Sequence, residues 1–217
     1  MTLDPSSMLK TSLREQFGDI DIYVFDQLLR GRIRPGMRIL DVGCGSGRNL
    51  VYLLRAGYDV AAVDVSASAV AATRQLAAGL APRLSATDFR VEAADDLSFA
   101  PESIDVVISN AVLHFAHDDV GFRAMLDAMW RTLRPSGLLF TRLASTIGMP
   151  LANFAPLGGR RFRMPDGSDR YLVDEDLLMA ETERLGGTLV DPIKTTVVQN
   201  ARCMTTWVLR KLPRIER

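Results

Sequence analysis

Three glycines at alternate positions follow a short apolar run, and this feature constrains the fold more than any other part of the chain. The segment 39–49 is ILDVGCGSGRN, between the apolar run 37–42 and the helical pattern 48–57. Because glycine has no Cβ, a strand that turns through glycines into a helix lets a ligand approach the backbone closely. The sequence therefore predicts a strand, a ligand-binding turn and a helix, with the turn built on Gly43, Gly45 and Gly47.

The following chain alternates short apolar runs with longer helical patterns. Strands are predicted at 59–65, 88–93, 104–110 and 137–145, with helices at 67–79 and 121–133. This alternation is typical of βαβ units, in which helices cover both faces of a mainly parallel sheet. We therefore expect an α/β fold.

The pattern changes after the fifth predicted strand. Segment 146–171 is rich in Gly, Pro and Arg and has no clear period, which favours an irregular lid or a disordered loop. Asp174 is a candidate cap for a helix at 175–186, and two further strands follow at 193–200 and 203–212. These two strands would form a hairpin, so the last strand would run antiparallel to the rest.

The composition argues against several classes of protein. Lys and Arg number 26, as do Asp and Glu, so no overall field attracts nucleic acid or an anionic membrane. The two cysteines are too few for a disulfide framework. The N-terminus lacks the apolar core of a signal peptide, and no apolar run approaches the roughly 20 residues that span a bilayer. We expect a cytoplasmic protein without a membrane partner.

Two classes of cofactor bind at a glycine turn of this kind, and the glycine spacing separates them. The dinucleotide fingerprint G-x-G-x-x-G would place its third glycine where the chain has Arg48. Gly47 comes one residue early, which weighs against NAD. Asp64 ends the second predicted strand, 23 residues after Asp41. At that position its carboxylate would accept both ribose hydroxyls of a cofactor from either class. The alternative role of Asp64 is to cap the helix that follows.

The segment Leu40 to Gly47, LDVGCGSG, resembles motif I of class I S-adenosylmethionine-dependent methyltransferases, (L/I)-D-x-G-x-G-x-G. The resemblance implies a Rossmann-like doubly wound sheet of seven strands in the order 3-2-1-4-5-7-6, the last strand antiparallel. It implies S-adenosylmethionine as cofactor, with the turn, including Cys44, behind its amino-acid and ribose portions and Asp41 near its ammonium group. An acid suits this cationic ligand, which carries no phosphate. Arg48 and Asn49 are also similar to the small tellurite-resistance-type methyltransferases.

The resemblance extends over roughly 37–145 and implies one domain over 1–217. Its expected parts are an N-terminal helical cap at 1–36, a cofactor-binding core at 37–145, a substrate lid at 146–171, and a C-terminal helix and hairpin at 172–217. Substrate choice is expected to lie outside the cofactor motifs.

The region that meets the adenine departs from the family pattern. Family segments after the third strand have the form D-A-x-x-L-x-F, and aligning Leu97 and Phe99 places the acid at Ala93. Asp95 is our candidate replacement, with backbone and apolar contact as the alternative. The remaining cofactor contacts implied by the resemblance are Val65, Ala94, Asn110, Ala111 and, from the N-terminal helix predicted at 16–33, Tyr23.

The segment SNAVLHF resembles family motif IV, S-x-x-x-L-x-H, and contains one candidate general base. His114 is suited to accept a proton near neutral pH, but a packing or hydrogen-bonding role under the cofactor is the alternative. Candidate acceptor contacts are Arg48, Arg160, Arg163 and Tyr171, with a solvated turn as the alternative for the lid arginines. No group of His, Cys, Asp or Glu has metal-ligand spacing, so we expect no metal.

The function that follows is S-adenosylmethionine-dependent methyl transfer to a small-molecule acceptor by in-line displacement. A nucleic-acid or protein methyltransferase is the first alternative, although no Asn/Asp-Pro-Pro-aromatic tetrapeptide follows the fourth strand and the net charge is zero. An NAD-dependent oxidoreductase and a non-catalytic cofactor-binding protein are further alternatives. The oligomeric state is not predicted.

Overall fold

The computed structural model describes residues 12–150, 152, 154–199 and 201–213. Its strands are β1 Arg38–Val42, β2 Asp59–Asp64, β3 Phe89–Val91, β4 Ile104–Asn110, β5 Leu133–Ala144, β6 Ala155–Gly158, β7 Arg161–Arg163, β8 Asp169–Tyr171, β9 Gly187–Leu189, β10 Lys194–Val198 and β11 Arg202–Lys211. Its helices are α1 Leu13–Phe17, α2 Ile22–Leu29, α3 Val51–Arg55, α4 Ala67–Leu80, α5 Asp119–Thr132 and α6 Glu175–Arg184.

The main sheet has the strand order β3-β2-β1-β4-β5-β11-β10. Strands β1 to β5 pair in parallel, while β11 runs antiparallel to β5 and to β10. The predicted order and the antiparallel last strand are therefore confirmed. The sheet also has an eighth strand, β9, which pairs with the end of β11 and was not predicted. With three residues, β9 is too short to give a periodic signal.

Apolar residues of the central strands alternate between two cores, one on each face of the sheet. In β4, Val107 belongs to the core that contains Phe122 and Trp207, whereas Val106 and Ile108 belong to the opposite core. All three β4 residues are fully buried because helices cover both faces. This burial explains why the strand is a continuous apolar run in the sequence.

The N-terminal region forms two short helices instead of the single helix predicted at 16–33. Helix α1 begins with a capping box between Ser12 and Glu15 and ends at Gly18, whose φ of 65° favours glycine. Asp21 then caps α2. The part of the predicted cap before residue 12 lies outside the described residues. Within the described residues, no helix is long and apolar enough to cross a membrane.

The segment predicted to be an irregular lid contains a small antiparallel sheet in the order β6-β7-β8. Gly167 has a φ of 80° and lies in the turn between β7 and β8, which is closed by a hydrogen bond from the Met164 amide to the Ser168 carbonyl, 2.8 Å long. Strands of three or four residues are too short to produce a detectable period. Met164 packs with Ala144 and Cys203, so the small sheet covers the carboxyl ends of the central strands.

Tyr171, the last residue of β8, fastens the small sheet to α5. Its ring is fully buried and stacks on Phe122 with centroids 5.0 Å apart, and its hydroxyl donates to Asp119 Oδ1 at 2.8 Å. The structure thus places Tyr171 in the core and does not support its predicted contact with an acceptor. The sequence pattern of the lid did not reveal that the chain returns to the core at this residue.

Replacement of Tyr171 by Phe keeps the stacked ring and removes the hydrogen bond to Asp119. We expect the free energy of unfolding to fall by about 1 kcal/mol, because a partly buried hydrogen bond to a carboxylate is lost. Denaturant unfolding measures this change. Tyr58→Phe is the matched control, since Tyr58 is also buried but its hydroxyl makes no hydrogen bond within the described chain. Equal effects of the two substitutions would contradict the assigned role.

Candidate functional site

Hydrogen bonds to β2 hold the glycine turn at the carboxyl end of the sheet. The amides of Gly43 and Cys44 both donate to the Val63 carbonyl, at 2.8 and 3.0 Å. The amide of Gly45 donates to Asp64 Oδ2 at 2.9 Å. The turn that leaves β1 is therefore fixed against the last residues of the neighbouring strand.

The three glycines of the turn have positive φ angles of 74°, 53° and 81° but different surroundings. A Cβ on Gly43 would lie 2.3 Å from a methyl carbon of Val112, and one on Gly47 would lie 2.9 Å from a methyl carbon of Leu76. A Cβ on Gly45 would meet nothing within 4 Å. Gly43 and Gly47 thus allow close packing, whereas Gly45 borders open space where a ligand can reach the backbone.

Asp64 supports the turn and retains free acceptor capacity. Oδ2 accepts the Gly45 amide, and Oδ1 accepts the Ser66 amide at 2.9 Å. A carboxylate offers about four acceptor positions, so each oxygen can also accept a ribose hydroxyl. The cap of α4 is Ser66, whose hydroxyl oxygen accepts the Ala69 amide. The alternative role of Asp64 as a helix cap is therefore not observed.

A narrow cleft of about 160 Å³ opens beside this turn. It is lined by Gly43, Asp64, Val65, Glu92, Ala94, Ala111, Val112 and Phe115. The side chains of Val65 and Phe115 are 72% and 59% exposed, which leaves two apolar surfaces available to a flat ring. Val65 and Ala94 were among the predicted contacts, whereas Val112 and Phe115 were not.

Besides Asp64, the narrow cleft is lined by the acid Glu92, and the predicted Asp95 is not among its lining residues. The Glu92 amide donates to the Asp64 carbonyl at 3.1 Å, which keeps Glu92 beside β2. The chain then turns, with the Asp96 amide bonded to the Ala93 carbonyl. Asp95 is exposed on a separate surface depression near Arg131. Counting back from Leu97 and Phe99 could not detect this turn.

Asp41 is a buried carboxyl group that lacks a full set of hydrogen-bond partners among the described residues. Its Oδ2 atom has no hydrogen-bond partner among the described residues. Burial raises the pKa of Asp41 to about 7, with Arg48 opposing the rise and Asp64 adding to it. A cationic ligand group would relieve this cost, because it would stabilise the ionised carboxylate. The site therefore fits a ligand with an ammonium group near β1.

A second cavity, the arginine cavity, has a volume of about 340 Å³ and meets the narrow cleft at Ala111, which lines both. Its lining consists of Arg48, Asn110, Ala111, His114, Arg142, Ala144, Met164, Asp166, Ser168, Arg170, Thr196, Val198, Arg202, Cys203 and Met204. Ala111 has a φ of 65°, and its amide donates to the Arg142 carbonyl at 2.7 Å. The strained bend after β4 thus lies where the two cavities join.

Asn110, the last residue of β4, lines the arginine cavity with an unsatisfied side chain. Its Oδ1 and Nδ2 atoms are both buried and have no hydrogen-bond partner among the described residues. An unpaired buried amide is costly and requires an explanation. A polar ligand at the junction of the two cavities provides one, in agreement with the predicted cofactor contact.

His114 is neutral and accepts a backbone hydrogen bond. Its Nδ1 atom accepts the Ala144 amide at 3.2 Å, so the proton of the neutral ring is on Nε2. Burial, together with the nearby Arg170, lowers the pKa of His114 to about 4. This geometry opposes the predicted role as general base, because the available nitrogen already carries a proton. It agrees with the alternative hydrogen-bonding role.

Asp21 organises two arginines of the arginine cavity. Its Oδ2 atom lies 3.1 Å from Arg142 Nη1 and 3.8 Å from Arg48 Nη2. Its amide donates to Asn49 Oδ1 at 3.0 Å, which fastens the start of α2 to the glycine turn. The sequence interpretation missed both Asp21 and Arg142. A charged residue within the apolar strand LLFTRLAS was the available signal for Arg142.

Tyr23 lies at the margin of the arginine cavity, and it is not among the lining residues of the narrow cleft. Its hydroxyl is 2.7 Å from Thr196 Oγ1, and the Arg142 guanidinium lies 5.3 Å from its ring centroid. Tyr23 therefore connects α2 with β10. This position does not support a direct contact with the nucleoside part of a cofactor.

The arginines of the small sheet that were predicted to bind an acceptor are neutralised elsewhere. Arg160 Nη1 lies 2.7 Å from Asp174 Oδ2, and Arg163 Nε lies 2.8 Å from Asp169 Oδ1. Neither arginine lines the arginine cavity. Each of these arginines pairs with an acid that follows it within 14 residues in the sequence. At such short separations, the turns of the small sheet determine which residues pair. Of the four predicted acceptor contacts, Arg48 alone lines the cavity.

The thiol of Cys44 takes no part in the charge balance of the turn. Burial and the neighbouring Asp41 raise the pKa of Cys44 to about 12, so the group stays protonated and the turn presents its backbone. Within the described chain, no group of three or more His, Cys, Asp or Glu is arranged to hold a metal ion.

Comparison with known proteins adds independent information about this site. The sequence pattern of a family described as "Methyltransferase domain" matches residues 40–141. A ubiquinone biosynthesis O-methyltransferase of Sinorhizobium medicae is 33% identical over 138 residues, which are 63% of this chain and 53% of that protein. The chain thus spans about half the length of this curated relative.

Solved structures with the same fold were also found. An S-adenosylmethionine-dependent methyltransferase of Methanosarcina mazei matches with a TM-score of 0.70 and 22% identity, over 86% of this chain and 98% of that chain. The 1,6-didemethyltoxoflavin-N1-methyltransferase of Burkholderia thailandensis, solved with bound 1,6-didemethyltoxoflavin and S-adenosylhomocysteine, matches with a TM-score of 0.68 and 20% identity, over 90% of this chain and 79% of that chain. At these identities the likeness concerns the fold.

Replacement of Asp41 by Asn tests the buried carboxyl group. Between its ordinary pKa of 3.8 and its raised pKa of about 7, the folded state binds the proton more tightly than the unfolded state, so stability falls as pH rises. The Asn variant has no carboxyl group to ionise, so its stability does not fall with pH for this reason. We expect its stability relative to wild type to increase from pH 5 to pH 8 by on the order of 2 kcal/mol, measured by denaturant unfolding at both pH values. A difference that is independent of pH would show that Asp41 ionises normally.

Proposed function

Since the chain belongs to the class I S-adenosylmethionine-dependent methyltransferases, we propose that it transfers the methyl group of S-adenosylmethionine to a small-molecule acceptor. One observation carries the proposal: the narrow cleft and the arginine cavity meet at Ala111, at the carboxyl ends of β1 and β4. Ligands of open α/β sheets bind at this edge. The two cavities would separate the cofactor from the acceptor and bring them together at one junction.

The residues of the narrow cleft suit a nucleoside. Asp64 would accept the ribose hydroxyls, and Val65 and Phe115 would cover the adenine faces. Gly45 would allow close approach to the turn, and Asp41 would stabilise the ammonium group. S-adenosylmethionine supplies an activated methyl group on a sulfonium, so the protein does not have to activate the leaving group.

The arginine cavity would position the acceptor and exclude water. Positioning is the main contribution that an in-line displacement requires from a protein. Arginines remain protonated, and His114 has its free lone pair occupied by the Ala144 amide. We therefore expect the nucleophilic atom of the acceptor to react without transferring a proton to His114.

Size and charge favour a small acceptor over nucleic acid. The cavity volume of about 340 Å³ is within the range of about 300 to 1,000 Å³ that is typical of small-molecule sites. The formal net charge of zero gives no general attraction to a phosphate backbone. The Sinorhizobium relative, an O-methyltransferase of ubiquinone biosynthesis, supports the same conclusion.

Calorimetric titration with S-adenosylhomocysteine and with NAD tests the cofactor part of the proposal. We expect binding of the first and no heat with the second. Asp64→Asn should weaken S-adenosylhomocysteine binding by roughly 10- to 100-fold, since hydrogen bonds to a charged group are lost. The control is Asp95→Asn, which removes an exposed acid outside the narrow cleft and should bind like wild type. Equal losses in both variants would contradict the placement of the nucleoside.

The acceptor part is tested with thiols, phenols, amines and carboxylates, read by the release of S-adenosylhomocysteine. Methyl transfer to at least one small compound supports the proposal. Cofactor binding combined with transfer only to RNA or protein would contradict the small-molecule acceptor. Cofactor binding without any transfer would favour a non-catalytic binding protein.

Replacement of His114 by Asn tests the absence of a histidine base. Because the pKa of His114 is lowered to about 4, the ring is neutral over the whole range from pH 6 to 9. We expect the pH profile of kcat/KM to keep its shape in the variant, with the most active acceptor from the panel. If the wild-type pH profile showed an ionisation between pH 6 and 7 and the variant lacked it, His114 would be the base.

A further inference from the structure

Positive charge is concentrated in the arginine cavity beyond what its acids neutralise. The titratable residues that line it are Arg48, His114, Arg142, Asp166, Arg170 and Arg202. Four of these are arginines, and His114 is neutral. Asp21 is not a lining residue of the cavity, but its carboxylate pairs with Arg48 and Arg142. Arg170 and Arg202 therefore add to the positive charge that Asp21 alone leaves on Arg48 and Arg142.

Arg170 and Arg202 have no carboxylate partner within ion-pair distance in the described chain. The Arg170 Nη1 atom donates to the backbone carbonyl of Asp169 at 2.9 Å, and its guanidinium stacks 4.6 Å from the Phe115 ring centroid. The side chain of Arg202 makes neither a hydrogen bond nor an ion pair with the described residues. Arg160 and Arg163, by contrast, are paired with acids outside the cavity.

Among the described residues, Asp166 is the one acid that lines the cavity, and its carboxylate accepts hydrogen bonds from a neighbouring serine. Its Oδ1 atom accepts both the amide and the hydroxyl of Ser168, at 2.9 and 2.5 Å. These bonds lower the pKa of Asp166, and Arg170 and Arg202 lower it further. Both arginines line the same cavity as Asp166, and a single carboxylate offsets only part of their charge.

We propose that Arg170 and Arg202 bind a carboxylate of the acceptor, so that the acceptor is an organic acid. This inference rests on the proposed function, in which the arginine cavity holds the acceptor. A guanidinium presents several N–H donors in a plane, which matches the two oxygens of a carboxylate. A neutral acceptor would occupy the cavity without a counter-charge for either arginine.

Arg170 and Arg202 lie outside the segment that matches the methyltransferase family. Arg48 follows the glycine turn directly and is the cavity arginine on that side of the site. Arg170 is in β8 and Arg202 begins β11, both beyond the residues 40–141 that match the methyltransferase family. Met164 and Met204 add apolar surface to the same cavity. The acceptor therefore combines an acid group with an apolar body.

Matched pairs of acids and amides test this inference without knowledge of the natural acceptor. The probes are benzoate and benzamide, 4-hydroxybenzoate and 4-hydroxybenzamide, and hexanoate and hexanamide, with the full chain saturated with S-adenosylhomocysteine. Ligand-observed NMR measures each affinity. We expect the acids to bind about tenfold or more tightly than their amides, because the amides cannot pair with a guanidinium charge.

Arg170→Gln and Arg202→Gln should each remove most of the preference for the acid. Arg202→Gln should also leave S-adenosylhomocysteine affinity within about twofold, because Arg202 does not line the narrow cleft. The matched control is Arg163→Gln, which removes a charge from the same small sheet outside the cavity and should keep the preference. Arg202 is exposed, so its replacement tests the inference even if Arg170→Gln disturbs the contact with Phe115.

The outcomes distinguish this inference from the proposed function. Failure of wild type to bind S-adenosylhomocysteine would refute the proposed function and, with it, the basis of the inference. Normal S-adenosylhomocysteine binding without any preference for acids, or a preference that survives both substitutions, would overturn the inference alone. Displacement of the bound acids by an RNA oligonucleotide that binds more tightly would assign the arginines to phosphate and would also overturn it.

Discussion

The attachment of the glycine turn to the end of β2 is the interaction on which the rest of the site depends. Val63 accepts two amides of the turn, and Asp64 accepts a third. These bonds leave the outer side of Gly45 open and hold the Asp64 carboxylate beside it. The same bonds keep Asp41 buried under the turn without a partner for one of its oxygens. Binding of a cationic ligand group beside Asp41 would offset the cost of this arrangement.

A second constraint comes from the way in which parallel strands end together. The carboxyl ends of β1 and β4 bring unpaired polar atoms of Asp41 and Asn110 to one edge of the sheet. Asp21 then fastens the N-terminal helix to this edge and holds two arginines in place. The small sheet β6-β7-β8 covers the same edge from the other side and contributes Arg170. The narrow cleft is thus lined by residues within the matched segment 40–141, whereas the arginine cavity combines residues of that segment with residues from outside it.

Much of the fold could be predicted from the sequence because its signals are local. Continuous apolar runs such as that of β4 mark strands that are buried on both faces, and the glycine turn marks the first crossing to a helix. The strand order followed from the family resemblance. The small sheet and β9 were missed, because strands of three or four residues carry too few residues for periodicity.

The candidate site also contains residues that could be placed from the sequence and residues that could not. The sequence alone determined that Gly45 and Asp64 lie beside each other, because the glycine turn follows β1 directly and Asp64 ends the neighbouring strand β2. Pairing between distant segments was decided only by the tertiary structure. It placed Glu92 in the cleft in place of Asp95, and it gave the lid arginine Arg160 a carboxylate partner while leaving Arg202 without one. Charge balance is a property of neighbours in space, and residue order does not determine it.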